Sequence, residues 1–371
     1  MPRIVHLGLG AFARSHLCAY TDSPWSITGV GLLPADEAIR DSHPERGYDL
    51  VLAHPDGRRE TQRIEVVDDY VLGAPGALER MVLDETRIVS LTITEGGWSL
   101  DNPAIAIVVE GLAQRRREGL PPFTVLSCDN IVGNGSVARR TVAGCASQRD
   151  PELASWVRAN VSFPSSMVDR ITPAPVDPSV VVAEPWRQWV VQDDFPLGRP
   201  AWDATFVEDV RPYELMKLRL LNAGHQAIAY LGTLRGHVFA HEAMRDPVVV
   251  DLLQRYWAEA VPTLDLVVPG YLDALIERFG NPHVADTLER LRAFSTDRIP
   301  VFLLPVLHER LARGLPVDAC AEVLATWARY VEAMPSLVVD NHPVRGGELL
   351  LDDLGLESVR EPFQRALASL R

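Results

Sequence analysis

The sequence has little cysteine, no long apolar run and no excess of basic side chains. Its four cysteines, Cys18, Cys128, Cys145 and Cys320, contain no CxxC pair, which argues against a disulfide framework or structural zinc and favours a reducing cytoplasm. No stretch reaches the ~18 apolar residues of a membrane helix, and the N-terminal residues lack a signal-peptide pattern. Lys and Arg number 36 against 50 Asp and Glu, and the net charge of −14 argues against a nucleic-acid or anionic-membrane partner.

The chain is long enough for about two domains, and its patterns change along its length. Its 371 residues are 47% hydrophobic, which suffices for a sizeable core. Short apolar strands alternate with helical segments at first, whereas apolar residues recur at spacings of three and four after about residue 213. We expect an α/β Rossmann-type domain over residues 1–205, followed by a mainly α-helical domain over residues 206–371.

A glycine motif follows the first predicted strand. Residues 3–8 are apolar, and the next residues give G-x-G-x-x-A, with Gly8, Gly10, Ala11 and a helix starting near Phe12. In a Rossmann turn the first glycine permits the tight turn, and the second lets the backbone approach a pyrophosphate. The N–H groups of the following helix would bind the phosphates. The motif therefore predicts a dinucleotide site.

An acidic pair follows the second predicted strand, which covers residues 25–33. Asp36 is our first choice, and Glu37 our second, for the acid that binds the ribose hydroxyls of the cofactor. A carboxylate there disfavours the extra phosphate of NADP, so we expect NAD. The alternative is that both acids lie in the first turn of a helix and only complement its dipole.

Polar clusters follow two further predicted strands. Residues 87–93 lead into Thr94-Glu95-Gly96-Gly97-Trp98, and residues 123–126 lead into Ser127-Cys128-Asp129-Asn130. The carboxyl edge of a parallel sheet is where α/β proteins bind ligands. Asn130 offers a donor and an acceptor to a substrate hydroxyl or carbonyl. Its alternative role is a turn or a helix cap.

The segment Tyr213–His225, YELMKLRLLNAGH, carries three further polar side chains in a helical pattern. Lys217, Asn222 and His225 fall within an arc of about 140° at 100° per residue, so they could share one wall of a cleft. The alternative is structural: Lys217 reaches water, Asn222 lies near a kink at Gly224, and His225 is a satisfied core residue.

Several motifs together resemble the polyol-specific long-chain dehydrogenases. They are GLGAFARSH at 8–16, LTITEGGW at 91–98, LSCDN at 126–130, FPSSMVDRITP at 163–173, EPWRQWVVQDDF at 184–195 and YELMKLRLLNAGH at 213–225. The resemblance implies a helical C-terminal domain of the 6-phosphogluconate dehydrogenase type. It also implies a zinc-independent, NAD-dependent reaction between a polyol or aldonate and its ketose or keto-sugar acid, of the mannitol/fructose or mannonate/fructuronate type.

The same resemblance implies roles for individual residues. The catalytic set is Lys217 as general acid/base with Asn130, Asn222 and His225; the cofactor set is Gly8, Gly10, Ala11, Phe12, Asp36, Thr94, Glu95, Asn130 and Val168; the substrate set is Asp169, Arg290 and Arg298. The chain departs from the family in its shorter length and in Phe-Ala-Arg-Ser-His where Phe-His-Arg is more common. A phosphorylated substrate, as in mannitol-1-phosphate 5-dehydrogenase, therefore stays open. A monomer or weak homo-oligomer is expected.

Lysine chemistry fits this reaction. A free lysine has a pKa near 10.4, and partial burial and the positive nicotinamide ring of NAD⁺ would lower it toward neutrality. Two other interpretations compete. Tyr213-x-x-x-Lys217 has the spacing of short-chain dehydrogenases, in which the tyrosine is the acid. A non-catalytic NAD-binding sensor would need the glycine motif but not the three polar residues of the helix.

Overall fold

The computed structural model describes residues 1–42, 47–173, 177 and 179–370. The chain divides into two compact units, Met1–Arg211 and Pro212–Arg371. The strands, all in the first unit, are β1 (Arg3–Leu7), β2 (Ser26–Gly31), β3 (Tyr48–Ala53), β4 (Arg59–Ile64), β5 (Val67–Leu72), β6 (Thr86–Leu91), β7 (Thr124–Ser127), β8 (Ser166–Asp169), β9 (Val181–Ala183), β10 (Gln188–Gln192) and β11 (Thr205–Val207). Its helices are α1 (Ala11–Ser15), α2 (Leu17–Tyr20), α3 (Asp36–Ser42), α4 (Gly73–Met81), α5 (Pro103–Glu118), α6 (Asn134–Arg149) and α7 (Pro151–Asn160).

The main sheet is five-stranded and parallel, in the order β5-β2-β1-β6-β7. Its strand order reverses beside β1, so the carboxyl ends of β1 and β6 border the crevice in which such sheets bind ligands. Two smaller sheets accompany it, with the orders β11-β10-β8 and β4-β3-β9. Residues 54–58 form the turn that joins β3 to β4 in an antiparallel hairpin.

Both faces of the main sheet are buried, as parallel strands require. Val5 and Leu7 of β1 pack on one face against apolar residues of α4–α7. Ile4 points to the other face, where it packs with residues of α1, α2 and the two smaller sheets. The apolar runs in the sequence follow from this double burial, and the predicted Rossmann-type fold of the first part is confirmed.

The second unit is helical in the residues that the structure describes. Its α-helices are α8 (Arg211–Met216), α9 (Ala223–Leu234), α10 (Ala240–Ala243), α11 (Pro247–Ala260), α12 (Tyr271–Phe279), α13 (Leu288–Arg292), α14 (Ser295–Phe302), α15 (Leu304–Ala312), α16 (Asp318–Ala333), α17 (Leu349–Leu354) and α18 (Arg360–Ser369). Helix α9 is buried from Ala223 to Thr233 and packs against α11, α13 and α16. Its burial on all sides explains its apolar sequence. The predicted helical second part is confirmed.

Candidate active site

The turn after β1 requires glycine at its first position for reasons internal to the protein. Gly8 has φ +87°, and a Cβ there would lie 2.1 Å from the carbonyl oxygen of Thr92. The amide of Gly8 donates to Val30 O at 3.2 Å, so the turn is fixed to the end of β2. Any larger side chain would push β1 away from the residue that follows β6.

Gly10 differs, because no atom of the described residues excludes a side chain there. A Cβ on Gly10 would meet nothing closer than Gly8 O at 4.0 Å. The lack of a side chain leaves the backbone open to a ligand, as a pyrophosphate would need. Helix α1 then starts at Ala11 but ends after five residues, because His16 leaves helical geometry at φ −111° and ψ −88°. Phe12 stacks on His16, with ring centroids 5.2 Å apart.

Asp36 is fixed at the carboxyl end of β2. Its Oδ2 accepts hydrogen bonds from the amides of Leu32 and Leu33, both at 2.8 Å. It is also the first residue of α3, and Glu37 beside it is exposed. Both amide bonds use one carboxylate oxygen, so the ribose role predicted for Asp36 would fall to Oδ1.

Asp129 connects the loops that follow β6 and β7. Its buried carboxylate accepts from Thr94 N at 2.8 Å, Ile93 N at 3.2 Å and Trp98 Nε1 at 2.7 Å. Thr94 is held at φ +63°, a conformation that is uncommon outside glycine. Sequence reasoning chose Asn130 and missed Asp129. The available signal was an acid at one strand end beside the amide-rich TEGGW loop at the other.

Asn134 connects the end of β7 to the start of β8. Its Nδ2 donates to Ser166 O at 2.8 Å and to Ser127 O at 3.2 Å, and its Oδ1 accepts from Ser166 N at 2.8 Å. The side chain is fully buried at the beginning of α6. Sequence reasoning also missed this residue, because its partners are known only once the strands are placed.

The remaining predicted residues of the first unit lie at strand ends. Asn130 and Thr94 are exposed, one after β7 and the other after β6. Val168 and Asp169 are buried at the carboxyl end of β8. Glu95 starts a 3₁₀ turn at Glu95–Gly97, but its side chain lies outside the described part of the chain.

The segment that carries Lys217 is helical, but it is not an α-helix throughout. Between α8 and α9, residues Lys217–Asn222 form a π-helix. The amide of Ala223 donates to Leu218 O, five residues back, and also to Leu220 O. Prediction of a continuous α-helix over 213–225 is therefore wrong at this turn. In an α-helix, at about 100° per residue, Lys217 and Asn222 would be 140° apart around the helix axis. The i→i+5 bonds widen the turn and reduce the rotation per residue, so the angle between the two side chains is smaller.

Three polar side chains of this segment are buried, and two of them contain an atom without a hydrogen-bond partner in the part of the chain that the structure describes. Lys217, Asn222 and His225 are 7%, 8% and 7% exposed. Within the described residues, Asn222 Oδ1 and His225 Nε2 have no hydrogen-bond partner. Native proteins rarely leave such buried atoms unpaired. Both atoms are therefore available for a hydrogen bond to a polar ligand.

His225 is held neutral by its surroundings. Burial lowers its pKa well below the ordinary value, and the positive charges of Arg290, Arg278, Arg298 and Lys217 lower it further. Its ring packs against Phe279, with centroids 4.3 Å apart. A neutral imidazole can accept or donate at Nε2 according to its tautomer.

Arg290 and Arg298 lie in the charge environment of His225. Arg290 forms a bidentate pair with Asp286, at 2.7 and 2.5 Å, and is about half exposed. Arg298 donates through Nη1 to Arg290 O at 2.9 Å and to Leu291 O at 3.1 Å. The structure thus brings the two arginines near the residues of the 217–225 segment.

Neither metal-ligating side chains, nor the cysteines, nor a membrane-spanning helix adds a second candidate site in the described residues. In residues 1–42, 47–173, 177 and 179–370, no three His, Cys, Asp or Glu side chains are grouped to hold a metal ion. The four cysteines are free and buried. No helix in the same ranges has the length and apolar character needed to cross a membrane.

Comparison with known proteins assigns both parts of the chain. The mannitol dehydrogenase Rossmann domain matches residues 2–204, and the mannitol dehydrogenase C-terminal domain matches residues 209–336. Mannitol 2-dehydrogenase of Cereibacter sphaeroides is 37% identical over 384 residues, which cover 89% of this chain and 80% of that protein. D-mannonate oxidoreductase of Escherichia coli (strain K12) is 35% identical over 390 residues, which cover 90% and 80%.

A solved structure of a mannitol 2-dehydrogenase also resembles this chain. Mannitol 2-dehydrogenase of Pseudomonas fluorescens, in a ternary complex with NAD and D-mannitol, superposes with a TM-score of 0.85 at 32% sequence identity. The match covers 100% of this chain and 92% of that one.

Proposed function

The chain belongs to the mannitol dehydrogenase family, and on that premise we propose that it is an NAD-dependent oxidoreductase. It interconverts a secondary alcohol of a polyol or aldonate with the corresponding ketose or keto-sugar acid. The resemblance inferred from the sequence motifs is confirmed. The observation that carries the proposal is the buried group of Lys217, Asn222 and His225, two of which present unpartnered polar atoms.

The residues of the first unit fit a dinucleotide. The open space at Gly10 admits a pyrophosphate beside the backbone, and Asp36 is fixed where a ribose acceptor is expected. We propose NAD rather than NADP, because the carboxylate of Asp36 would repel a 2′-phosphate. When bound, NAD supplies the hydride acceptor of the oxidation. The roles of Ala11, Phe12, Thr94, Glu95 and Val168 in holding it stay predictions.

We propose that Lys217 moves the proton. In oxidation its amine accepts the hydroxyl proton of the substrate alcohol, and in reduction its ammonium returns a proton to the carbonyl oxygen. A positioned acid/base of this kind contributes about 10²–10⁴-fold to turnover. The burial of Lys217 supports the role, because removing the charged ammonium group of a lysine from water costs free energy.

The unpartnered atoms near Lys217 suit a hydroxylated substrate. Asn222 Oδ1 is an acceptor, so we infer that it takes a hydrogen bond from a substrate hydroxyl. Neutral His225 would bind the neighbouring oxygen through Nε2. The substrate-binding roles of Asn130, Asp169, Arg290 and Arg298 stay predictions.

We further propose that the protein works as a monomer or weak homo-oligomer in the cytoplasm, without a nucleic-acid partner. The free, buried thiols suit a reducing compartment. The acidic composition, with a net charge of −14, suits a small-molecule enzyme rather than one that binds phosphate backbones.

A substrate screen tests the proposed activity. NADH consumption is followed with fructose, fructuronate, tagaturonate and xylulose, and again with NADPH. The proposal predicts that at least one ketose is reduced and that NADH is the preferred donor. A protein that binds NADH but reduces none of these compounds would contradict the proposal and favour the alternatives, a non-catalytic sensor or an enzyme that acts on a phosphorylated ketose.

A further inference from the structure

The π-helical turn at Lys217–Asn222 leaves backbone carbonyls that the helix does not satisfy in the usual way. In an α-helix the amide of Ala223 would donate to Arg219 O, four residues back. It donates instead to Leu218 O and Leu220 O. The wider turn therefore removes from Arg219 O the bond that regular helical geometry would supply.

Two side chains of α11 donate to these carbonyls. Tyr256 OH donates to Arg219 O at 2.8 Å, and Trp257 Nε1 donates to Leu220 O at 2.9 Å. Both donors are buried. They are consecutive residues of one helix, so a rigid element fixes both carbonyls at once. Arg219 O loses the amide of Ala223 in the wide turn and accepts from Tyr256 OH instead, so this bond removes the cost of an unpaired buried carbonyl. Leu220 O already accepts from Ala223 N, and Trp257 Nε1 is a second donor that fixes this carbonyl in the wide turn.

Trp257 also extends this support to His225. Its ring lies 6.3 Å from that of Phe279, which in turn lies 4.3 Å from the His225 ring. A Cβ on Gly224 would come within 3.2 Å of Trp257 Nε1, so the glycine permits the indole to sit against the helix. The indole is thereby fixed in the position from which it reaches Leu220 O.

We propose that Tyr256 and Trp257 are positioning residues, which hold the turn at 217–222 in π geometry and so place Lys217 and Asn222 on one face. The inference rests on the proposed function for its catalytic consequence. Its structural consequence stands by itself: without the two donors, the turn reverts to the α-helical pattern. In this proposal Tyr256 and Trp257 act through the helix backbone and do not contact the substrate.

The test uses the full-length protein with Tyr256→Phe and Trp257→Phe, singly and together. Each removes one donor and keeps an aromatic ring. A displacement of about 1 Å at a catalytic group can cost about 10²-fold in rate. We therefore expect the double variant to lose about 10²-fold in kcat while its Kd for NADH stays within twofold of the unmodified protein.

Matched controls separate positioning from general loss of stability. Tyr330→Phe removes a hydroxyl that donates to Leu337 O at 2.6 Å, and Trp202→Phe removes an indole N–H that donates to Thr21 Oγ1 at 3.0 Å. These variants should lower Tm to a similar degree and keep kcat within twofold. Equal losses of kcat in control and test variants would overturn the inference.

A double-mutant cycle adds a readout that a purely structural defect would not change. In a Lys217→Met background the two substitutions should cost less than about fivefold, because the residue through which they act is already removed. A further loss of about 10²-fold in that background would contradict the proposal.

A crystal structure of the double variant gives the result that does not depend on turnover. We expect the amide of Ala223 to donate to Arg219 O in place of Leu218 O. Retention of the π-helix would overturn the inference whether or not any ketose is reduced. If the turn becomes α-helical in the double variant while the unmodified protein reduces none of the ketoses, the structural inference is upheld and only the proposed function is rejected.

Discussion

Asp129→Asn exchanges one oxygen of a buried carboxylate for an amino group and keeps the side-chain shape. Oδ2 of Asp129 accepts from Ile93 N and Trp98 Nε1, whereas Oδ1 accepts from Thr94 N. The asparagine oxygen can replace only one of these positions. It retains most bonds by taking the place of Oδ2, which turns its amino group toward the amide of Thr94.

The cost follows from this count. The Thr94 amide loses its acceptor, at about 1–3 kcal/mol. The two retained bonds change from charge-assisted to neutral, which costs about 1 kcal/mol each. We expect the free energy of unfolding to fall by about 3–5 kcal/mol. The lost bond is also the one that holds Thr94 at φ +63°. Looser placement of this predicted cofactor residue should raise the Kd for NADH about tenfold or more, equivalent to about 1.4 kcal/mol.

Equilibrium unfolding in urea and fluorescence titration with NADH measure the two effects. Asp150→Asn is the matched control, because Asp150 caps α7 through a single bond to Glu152 N at 2.8 Å, and asparagine caps helices equally well. Trp98→Phe keeps the carboxylate, and it should cost about 1–2 kcal/mol and leave the Kd within threefold. An Asp129→Asn protein within about 1 kcal/mol of the unmodified chain, with unchanged NADH affinity, would refute this account of the loop.

Three further predictions follow from single residues. Gly10→Ala should weaken NADH binding at least tenfold with an unchanged urea midpoint, because its Cβ meets no protein atom closer than 4.0 Å, whereas Gly8→Ala should destabilise the fold; equal stability losses would contradict this. Burial lowers the pKa of His6 to about 4, so the unfolded chain gains a proton before the folded one does: the contribution of neutral His6 is complete above pH ~6.5 and falls by about 3 kcal/mol as the pH drops to ~4. Urea unfolding of His6→Asn at both pH values should lack that part of the pH dependence. Tyr213→Phe should keep kcat within twofold, and a large loss would favour tyrosine as the acid.

The glycine turn could be predicted from the sequence because its physics is local. Gly8 must adopt a positive φ, and a strand precedes it, so the motif carries its own context. The acid after β2 was predictable for the same reason, since the chain distance from the glycines places Asp36 at the neighbouring strand end. The parallel sheet follows from apolar strands that alternate with helices.

The loop contacts of Asp129 were not predictable, because they depend on which strands are neighbours. Asp129 and Thr94 are 35 residues apart in sequence and meet only because β6 pairs with β7. Asn134 reaches Ser166 across 32 residues, and its side chain joins strands of two different sheets. A single sequence shows which polar residues follow each strand, but the pairs that they form depend on how the strands are placed.

The π-helix was missed for a related reason. The apolar spacing of the 213–225 segment fits an α-helix. This spacing carries no information about hydrogen-bond donors on another helix. Tyr256 and Trp257, 37 residues beyond the carbonyls that they satisfy, supply the bonds that favour the wider turn. Lys217, Asn222 and His225, which the helical spacing predicted on one wall of a cleft, are all buried, and the π-helical turn changes the α-helical spacing assumed for them.

The central claim is that Lys217 carries the proton, and its most direct test is the turnover of Lys217→Met. Methionine fills a similar volume without an amine, so the buried site should stay packed. With saturating NADH and the ketose that the unmodified protein reduces fastest, we predict a kcat lower by about 10²–10⁴-fold and a Kd for NADH within twofold. A Lys217→Met enzyme that keeps more than a tenth of the kcat would contradict the account.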